Sequence, residues 1–241
     1  MNYPEKPEEE GPVLCWREGA VAHLRFNRPQ ALNAIDVGMA SAFLSACELI
    51  AVDPQVRVVW ISAEGRAFMA GGDIAAMGSD PVGVAEELIA GMHGGLRLLA
   101  ELDAPVVASV RGAAAGGGLG LLLGGADLIV AAEGTRFSVA YPLMGASCDC
   151  STSWSLPRIV GLHRALELAL LAENIDAAEA QRLGLCNRVV PDSSLEAETL
   201  RIVDRLAKGP TLAYGRLRRL IRESHNATFR EQLDAEAMSF Q

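Results

Sequence analysis

At 241 residues, half of them hydrophobic, the chain is long enough to bury one large core with a helical appendage. Its net charge of −9 would repel a nucleic-acid surface, and its one basic cluster, Arg216, Arg218, Arg219 and Arg222, lies at helical spacing and reads as a solvated helix face. The five cysteines are odd in number and scattered, which implies no disulfide framework and fits a reducing cytoplasm; the longest apolar stretch, Leu119–Ala132, is broken by Gly124, Gly125 and Asp127 before it could span a membrane.

Residues 1–12 are acidic and proline-rich and read as a disordered lead-in. Val13–Trp16 and Ala20–Phe26 read as a hairpin joined at Glu18-Gly19, closed by Asn27-Arg28-Pro29. Asp36 caps a predicted helix to about Val52, with Met39, Phe43, Ala46, Leu49 and Ile50 at helical spacing. Val56–Ser62 is a continuous apolar run, as a strand buried on both faces requires. A loop, Ala63–Gly72, leads to a short predicted helix from Asp73. The pattern recurs: a helix over about Val84–Leu102, a buried strand Pro105–Val110, a glycine-rich loop, a helix from Gly117 to Leu123 and a strand Asp127–Ala131. From about Asp149 the spacing predicts helices near Cys150–Ile159, His163–Leu171, Ala177–Leu183, Ser194–Ala207, Thr211–Arg222 and Thr228–Met238, with one strand at Asn187–Val190. The expectation is an α/β core over 13–191 with a helical C-terminal portion over 192–241.

Several motifs fail. GGGLGLLLGG does not satisfy G-x-G-x-x-G in any register, Ser147 lacks the second glycine of G-x-S-x-G, and Cys148-x-Cys150 has no second pair, so no metal site is expected. Two segments stand out together: Gly65–Ile74 (GRAFMAGGDI) and Val110–Gly120 (VRGAAAGGGLG). Each follows a buried strand and precedes a helix. Glycine permits close backbone approach, and a helix N-terminus adds positive potential. Either loop alone could be a tight turn; two loops in this arrangement can converge two N–H groups on one oxygen, an oxyanion hole.

These segments, with the NRPQALNA run at Asn27–Ala34, resemble the crotonase (enoyl-CoA hydratase/isomerase) superfamily, from Asn27 to about Pro191. The resemblance implies a crotonase-type spiral of stacked β-β-α turns. It implies an acyl-CoA thioester as substrate, no separate cofactor, and a homotrimer or dimer of trimers with the C-terminal helices at the interface. Carried over, the oxyanion N–H groups belong to Gly72 and Gly117. CoA contacts fall on Gln30, Ala31, Ala70, Asp73 and Ile74.

The departures bear on chemistry. The family's hydratases carry two glutamates; here those positions hold Gly120 and Tyr141, so hydration by that route is not expected. What remains is Asp149, in GASCDCSTSWSLPRIVG (145–161). The segment is similar to the isomerases, which use one carboxylate here to move a proton. It is similar also to the 4-chlorobenzoyl-CoA dehalogenases, whose aspartate is a nucleophile and whose basic histidine would match His93. Asp149 could also simply cap a helix, and His93 could be a satisfied surface histidine, though the adjacent Gly94 and Gly95 suggest a kink near a ligand. Tyr141 is expected as pocket wall. The expectation is an enoyl-CoA double-bond isomerase with Asp149 as proton carrier. The alternatives are covalent chemistry at Asp149 with His93 as base, or an acyl-CoA-binding protein without activity.

Overall fold

The computed structural model describes residues 10–73, 76, 78 and 81–240. The main sheet has six strands in the order β1 (Val13–Glu18), β2 (Val21–Phe26), β3 (Val58–Ala63), β4 (Val106–Val110), β6 (Leu128–Ala132), β9 (Arg188–Val190). Only the β1–β2 pair is antiparallel; the other neighbours run parallel. The central strands β3 and β4 are buried along nearly their whole length, which explains their unbroken apolar runs.

A second, three-stranded sheet joins β5 (Ala113–Ala115), β7 (Arg136–Ser138) and β8 (Ile175–Asp176). The main-sheet strands β4 and β6 each feed a short strand of the second layer. β4, β5 and α3 (Gly117–Gly125) make one β-β-α turn, and β6 and β7 begin the next. This is the expected spiral of β-β-α turns. The individual strands of its second layer have no sequence signal: β5 lies inside what reads as a glycine loop, and strands of two or three residues carry no alternation to detect.

Helices α1 (Val37–Val52) and α2 (Pro81–Glu101) cover one face of the main sheet. Asp36 caps α1 as expected, Oδ1 accepting from Met39 N–H at 2.8 Å. Gly91, Gly94 and Gly95 lie within the continuous helix α2. They let it seat against α1: an added Cβ would stand 2.7 Å from Ala40 O, 2.9 Å from a Leu44 methyl and 2.3 Å from Phe43 Cε1 respectively. The predicted short helix from Asp73 falls mostly outside the described residues.

The C-terminal half carries α4 (Thr152–Val160), α5 (Leu162–Leu171), α6 (Ala177–Arg182), α7 (Leu195–Ala207), α8 (Thr211–Glu223) and α9 (Phe229–Phe240). α7 covers the opposite face of the main sheet, its Val203 packed with Val58, Trp60 and Val107. Three arginines of the basic cluster form a clasp and not a solvated face, while Arg216 is exposed as expected. Arg218 is buried, pairs with Asp127 at 2.7 Å and donates to the carbonyls of Leu99 and Ala104; Arg222 reaches the other oxygen of Asp127, and Arg219 pairs with Asp103. Among the described residues no helix is long and apolar enough to cross a membrane.

Candidate active site

The two glycine segments run side by side in parallel. Met69 bridges Ala114: Met69 N–H donates to Ala113 O, and Ala115 N–H donates to Met69 O, both at 2.9 Å. The same register carries the pair onward to Gly71 beside Gly116, where a Cβ on Gly116 would lie 3.5 Å from Gly71 Cα. Gly71 and Gly116 both hold positive φ, +102° and +51°, which glycine adopts without penalty. Gly112 is tighter still: a Cβ there would sit 1.9 Å from Arg66 O.

The next residue in each segment is the expected oxyanion donor. Gly72 bridges Ile35, whose N–H and C=O are taken by Gly71 O and Asp73 N–H. In that parallel pairing the N–H of Gly72 points away from Ile35, and among the described residues no acceptor meets it. Gly117 is the first residue of α3, so its N–H is one of the helix's unpaired donors. Ile35 lies between them: a Cβ on Gly117 would touch Ile35 Cδ1 at 3.0 Å. The structure therefore brings Gly72 and Gly117 together, each with a free donor, and the dipole of α3 adds positive potential at the second.

Asp149 arrives at the same point. The Gly117 Cβ position is 3.6 Å from Asp149 Oδ1 and 3.4 Å from Cys150 Sγ. The Asp149 side chain does not cap α4; that position belongs to Ser151, which makes no side-chain cap. Asp149 Oδ1 instead accepts a 2.5 Å hydrogen bond from the Tyr141 hydroxyl, which also lies 3.4 Å from Thr152 Oγ1. Tyr141 is buried at the start of a 3-10 turn, Tyr141–Met144, and is more than pocket wall: it is the donor that orients the carboxylate. Burial, and then the Asp149 charge and hydrogen bond, push the phenol well above its ordinary range, so it stays protonated and donating.

The Asp149 segment can approach α3 because the facing positions are glycine. A Cβ on Gly120 would stand 2.5 Å from Thr152 Oγ1 and 2.6 Å from Cys150 O; one on Gly124 would stand 2.0 Å from Ser151 Oγ. The volume that a glutamate at 120 would need is filled. Cys150 is fully buried, and burial followed by the Asp149 charge raises its thiol far above the thiolate range, so it is no nucleophile. His93, on α2, joins the site through the main chain: its Nε2 accepts the Cys150 N–H at 3.1 Å.

The expected CoA-contact residues gather at the rim. Gln30 and Ala31 lie on a 3-10 turn, Pro29–Ala31, held against the first glycine loop by the Ala70 N–H bond to Leu32 O. Asp73 is engaged otherwise: its Oδ2 pairs with Arg28 at 3.1 Å, and Arg28 also holds Asp36 at 2.9 Å. Ile74 lies outside the described residues. Sequence reasoning missed Asn33, buried in a left-handed conformation at φ +55°. Its Oδ1 accepts from Arg28 N–H, and its Nδ2 donates to Glu64 O and Ala67 O, stitching the rim to the first loop. Asparagine's tolerance of that conformation was the available signal. Among the described residues no group of three His, Cys, Asp or Glu side chains could hold a metal ion.

The model of the enoyl-CoA hydratase/isomerase family matches residues 17–241. The chain is 34% identical to 1,2-epoxyphenylacetyl-CoA isomerase of Escherichia coli over 93% of its own length and 87% of that protein's. It is 33% identical to 4-chlorobenzoyl coenzyme A dehalogenase-2 of an Arthrobacter species, covering 86% and 76%. A Thermobifida fusca protein solved in complex with CoA superposes with a TM-score of 0.88 at 28% identity, covering 99% of this chain and 95% of that one.

Proposed function

The chain belongs to the enoyl-CoA hydratase/isomerase family, and on that premise we propose that it shifts a double bond within an acyl-CoA thioester. The observation that carries the reading is one carboxylate, Asp149, beside the Gly117 donor, with the space for a second at position 120 filled. Hydration by paired carboxylates needs two such groups to place and activate water; moving a proton between carbons needs one.

In this reading the thioester oxygen accepts from the N–H groups of Gly72 and Gly117. Asp149 removes a proton from the carbon α or γ to the carbonyl, and the electron pair delocalises onto that oxygen as an enolate. The same carboxyl then returns the proton at the other end of the allylic system, so atoms and charge balance without water or a redox partner. Tyr141 holds Oδ1 throughout. The rim of Gln30, Ala31 and Ala70 is suited to the pantetheine arm, in keeping with the CoA-bound relative. The exposed apolar residues of α8 and α9, among them Ile221, Phe229, Met238 and Phe240, support self-association as a homotrimer or dimer of trimers.

Asp149 as nucleophile is the competing chemistry, favoured by the dehalogenase relative. A panel of enoyl-CoA thioesters turned over in deuterium oxide, and separately in heavy-oxygen water, distinguishes them. Deuterium at the product's α or γ carbon is expected, with Asp149 unlabelled, and Asp149→Asn should abolish the exchange while CoA still binds. Heavy oxygen in the Asp149 peptide after one turnover would sink the proton-shuttle reading; no turnover on any thioester would sink both. Hydration of crotonyl-CoA should be slow or undetectable.

A further inference from the structure

We infer that His93 is a positioning residue: its neutral ring holds the Asp149–Cys150 turn against the oxyanion donors, and it is not the base of the reaction. The kinetic part of this inference rests on the proton-shuttle reading of Asp149; the structural part does not.

The hydrogen bond runs in a telling direction. Nε2 of His93 accepts from the Cys150 backbone N–H at 3.1 Å, so its lone pair is already engaged and the ring's proton sits on Nδ1. A ring in that state cannot take a proton from water at Nε2 without first releasing Cys150. A protonated ring would set two donors against each other.

The turn needs such a hold. Cys150 and Ser151 are consecutive non-glycine residues in the left-handed region, at φ +47° and +73°. Each costs about 1–2 kcal/mol against the ordinary helical conformation. A strained pair of this kind persists only where its surroundings over-determine it. Ser151 is tied through Oγ to Gly120 O at 3.1 Å, and Thr152 N–H closes on Asp149 O at 2.9 Å. The tie from Cys150 N–H reaches across to α2. It lies one peptide from Asp149, whose Oδ1 must stay near Gly117, and displacement of a reacting group by about 1 Å can cost about 10²-fold in rate.

The same account explains the glycines of α2. Gly91, Gly94 and Gly95 seat the helix on α1 at distances that no side chain allows, and that seating brings His93 within reach of Cys150. A packing stripe remote from the substrate thereby sets the position of the carboxylate.

The test pairs His93→Gln with His93→Leu. The glutamine carbonyl can stand where Nε2 stands and accept the same N–H, but it has no proton to exchange; leucine can do neither. His93→Leu should lose about 10²-fold in kcat with little change in KM, and His93→Gln should recover to within about tenfold of wild type. Glutamine falling as far as leucine would identify His93 as the base and overturn the inference. Two measurements need no turnover. The imidazole nitrogen resonances of the ligand-free wild type should show Nδ1 protonated and Nε2 bare. Amide exchange at Cys150 should be slow in wild type and His93→Gln and faster in His93→Leu. A protonated Nε2, or exchange unchanged in His93→Leu, refutes the inference even if the isomerase reading stands, and the expected pattern supports it even if that reading fails.

Discussion

Gly117→Pro isolates one oxyanion donor. Gly117 is the first residue of α3, the helical position where proline is accepted, because its missing N–H has no partner within the helix. The preceding Gly116, at φ +51° and ψ −123°, sits in the mirror image of the extended region favoured before proline and is open to glycine. The added Cβ meets the Ile35 Cδ1 methyl at 3.0 Å, the flexible end of a side chain that can yield a few tenths of an ångström. Gly117→Ala meets the same methyl but keeps the N–H, so the comparison removes the Cβ contact from the difference and leaves the lost donor together with the proline ring carbon that takes its place. Loss of one such donor costs about 10²–10³ in kcat, roughly 2.7–4 kcal/mol. Folding stability should move little, since proline also restricts the unfolded chain by about 0.4–1 kcal/mol. Saturating turnover on an accepted enoyl-CoA, with urea midpoints for both proteins, reads the two quantities. A folded Gly117→Pro that turns over within about threefold of Gly117→Ala would show that this N–H does not meet the developing oxyanion.

Tyr141→Phe removes the donor on Asp149 Oδ1; a hydrogen bond to a charged group is worth about 1.5–3 kcal/mol, so kcat should fall tenfold or more, and kinetics matching wild type would dismiss Tyr141 from the site. Gly120→Glu should gain no hydration of crotonyl-CoA and should lose the isomerase activity, because its Cβ would stand 2.5 Å from Thr152 Oγ1; a variant that hydrates while still isomerising would refute the steric account. His23 sits stacked on Trp16 at 4.4 Å between the rings and near Trp60; burial first, and then the Arg25 charge, lower its pKa from 6.5 to about 4. Its neutral form favours the fold, so that contribution is complete above pH 6.5 and declines as pH falls towards about 4, by at most about 3 kcal/mol. Urea midpoints across that range should slope less steeply for His23→Phe than for wild type, and identical slopes would exclude the effect.

What the sequence disclosed followed the physics of each feature. The buried strands β3, β4 and β6 and the capped helix α1 carry strong local signals, and they appear where expected. The second sheet carries none, because its strands are too short to alternate. In the site, the paired glycine loops were legible since close approach and positive φ admit few other residues. Asp149 and His93 came from resemblance, and their actual partners did not. A backbone donor such as Cys150 N–H has no letter in the sequence, and nothing local announces that Arg28 and Asp73, 45 positions apart, share an ion pair. Gly94 and Gly95 carry a second signal that their sequence context does not separate from a kink: both admit a neighbouring helix.

The glycines of α3 show how one run of residues fixes the chemistry. Gly118 faces the first loop, where a Cβ would stand 2.7 Å from Met69 Cβ, and Gly125 faces Leu96 on α2 at 3.0 Å. Gly117, Gly120 and Gly124 lie on one face and receive the Asp149–Ser155 segment. That face has room for either a side chain on α3 or the strained turn that carries Asp149, but not both. A carboxylate projecting from position 120 would displace Cys150 and Thr152, and with them Asp149 and the groups that aim it. The exchange of glutamate for glycine is therefore more than the loss of one acid. It opens the space in which another carboxylate, bonded by Tyr141 on its side chain and joined to His93 at the next peptide, lies beside Gly117.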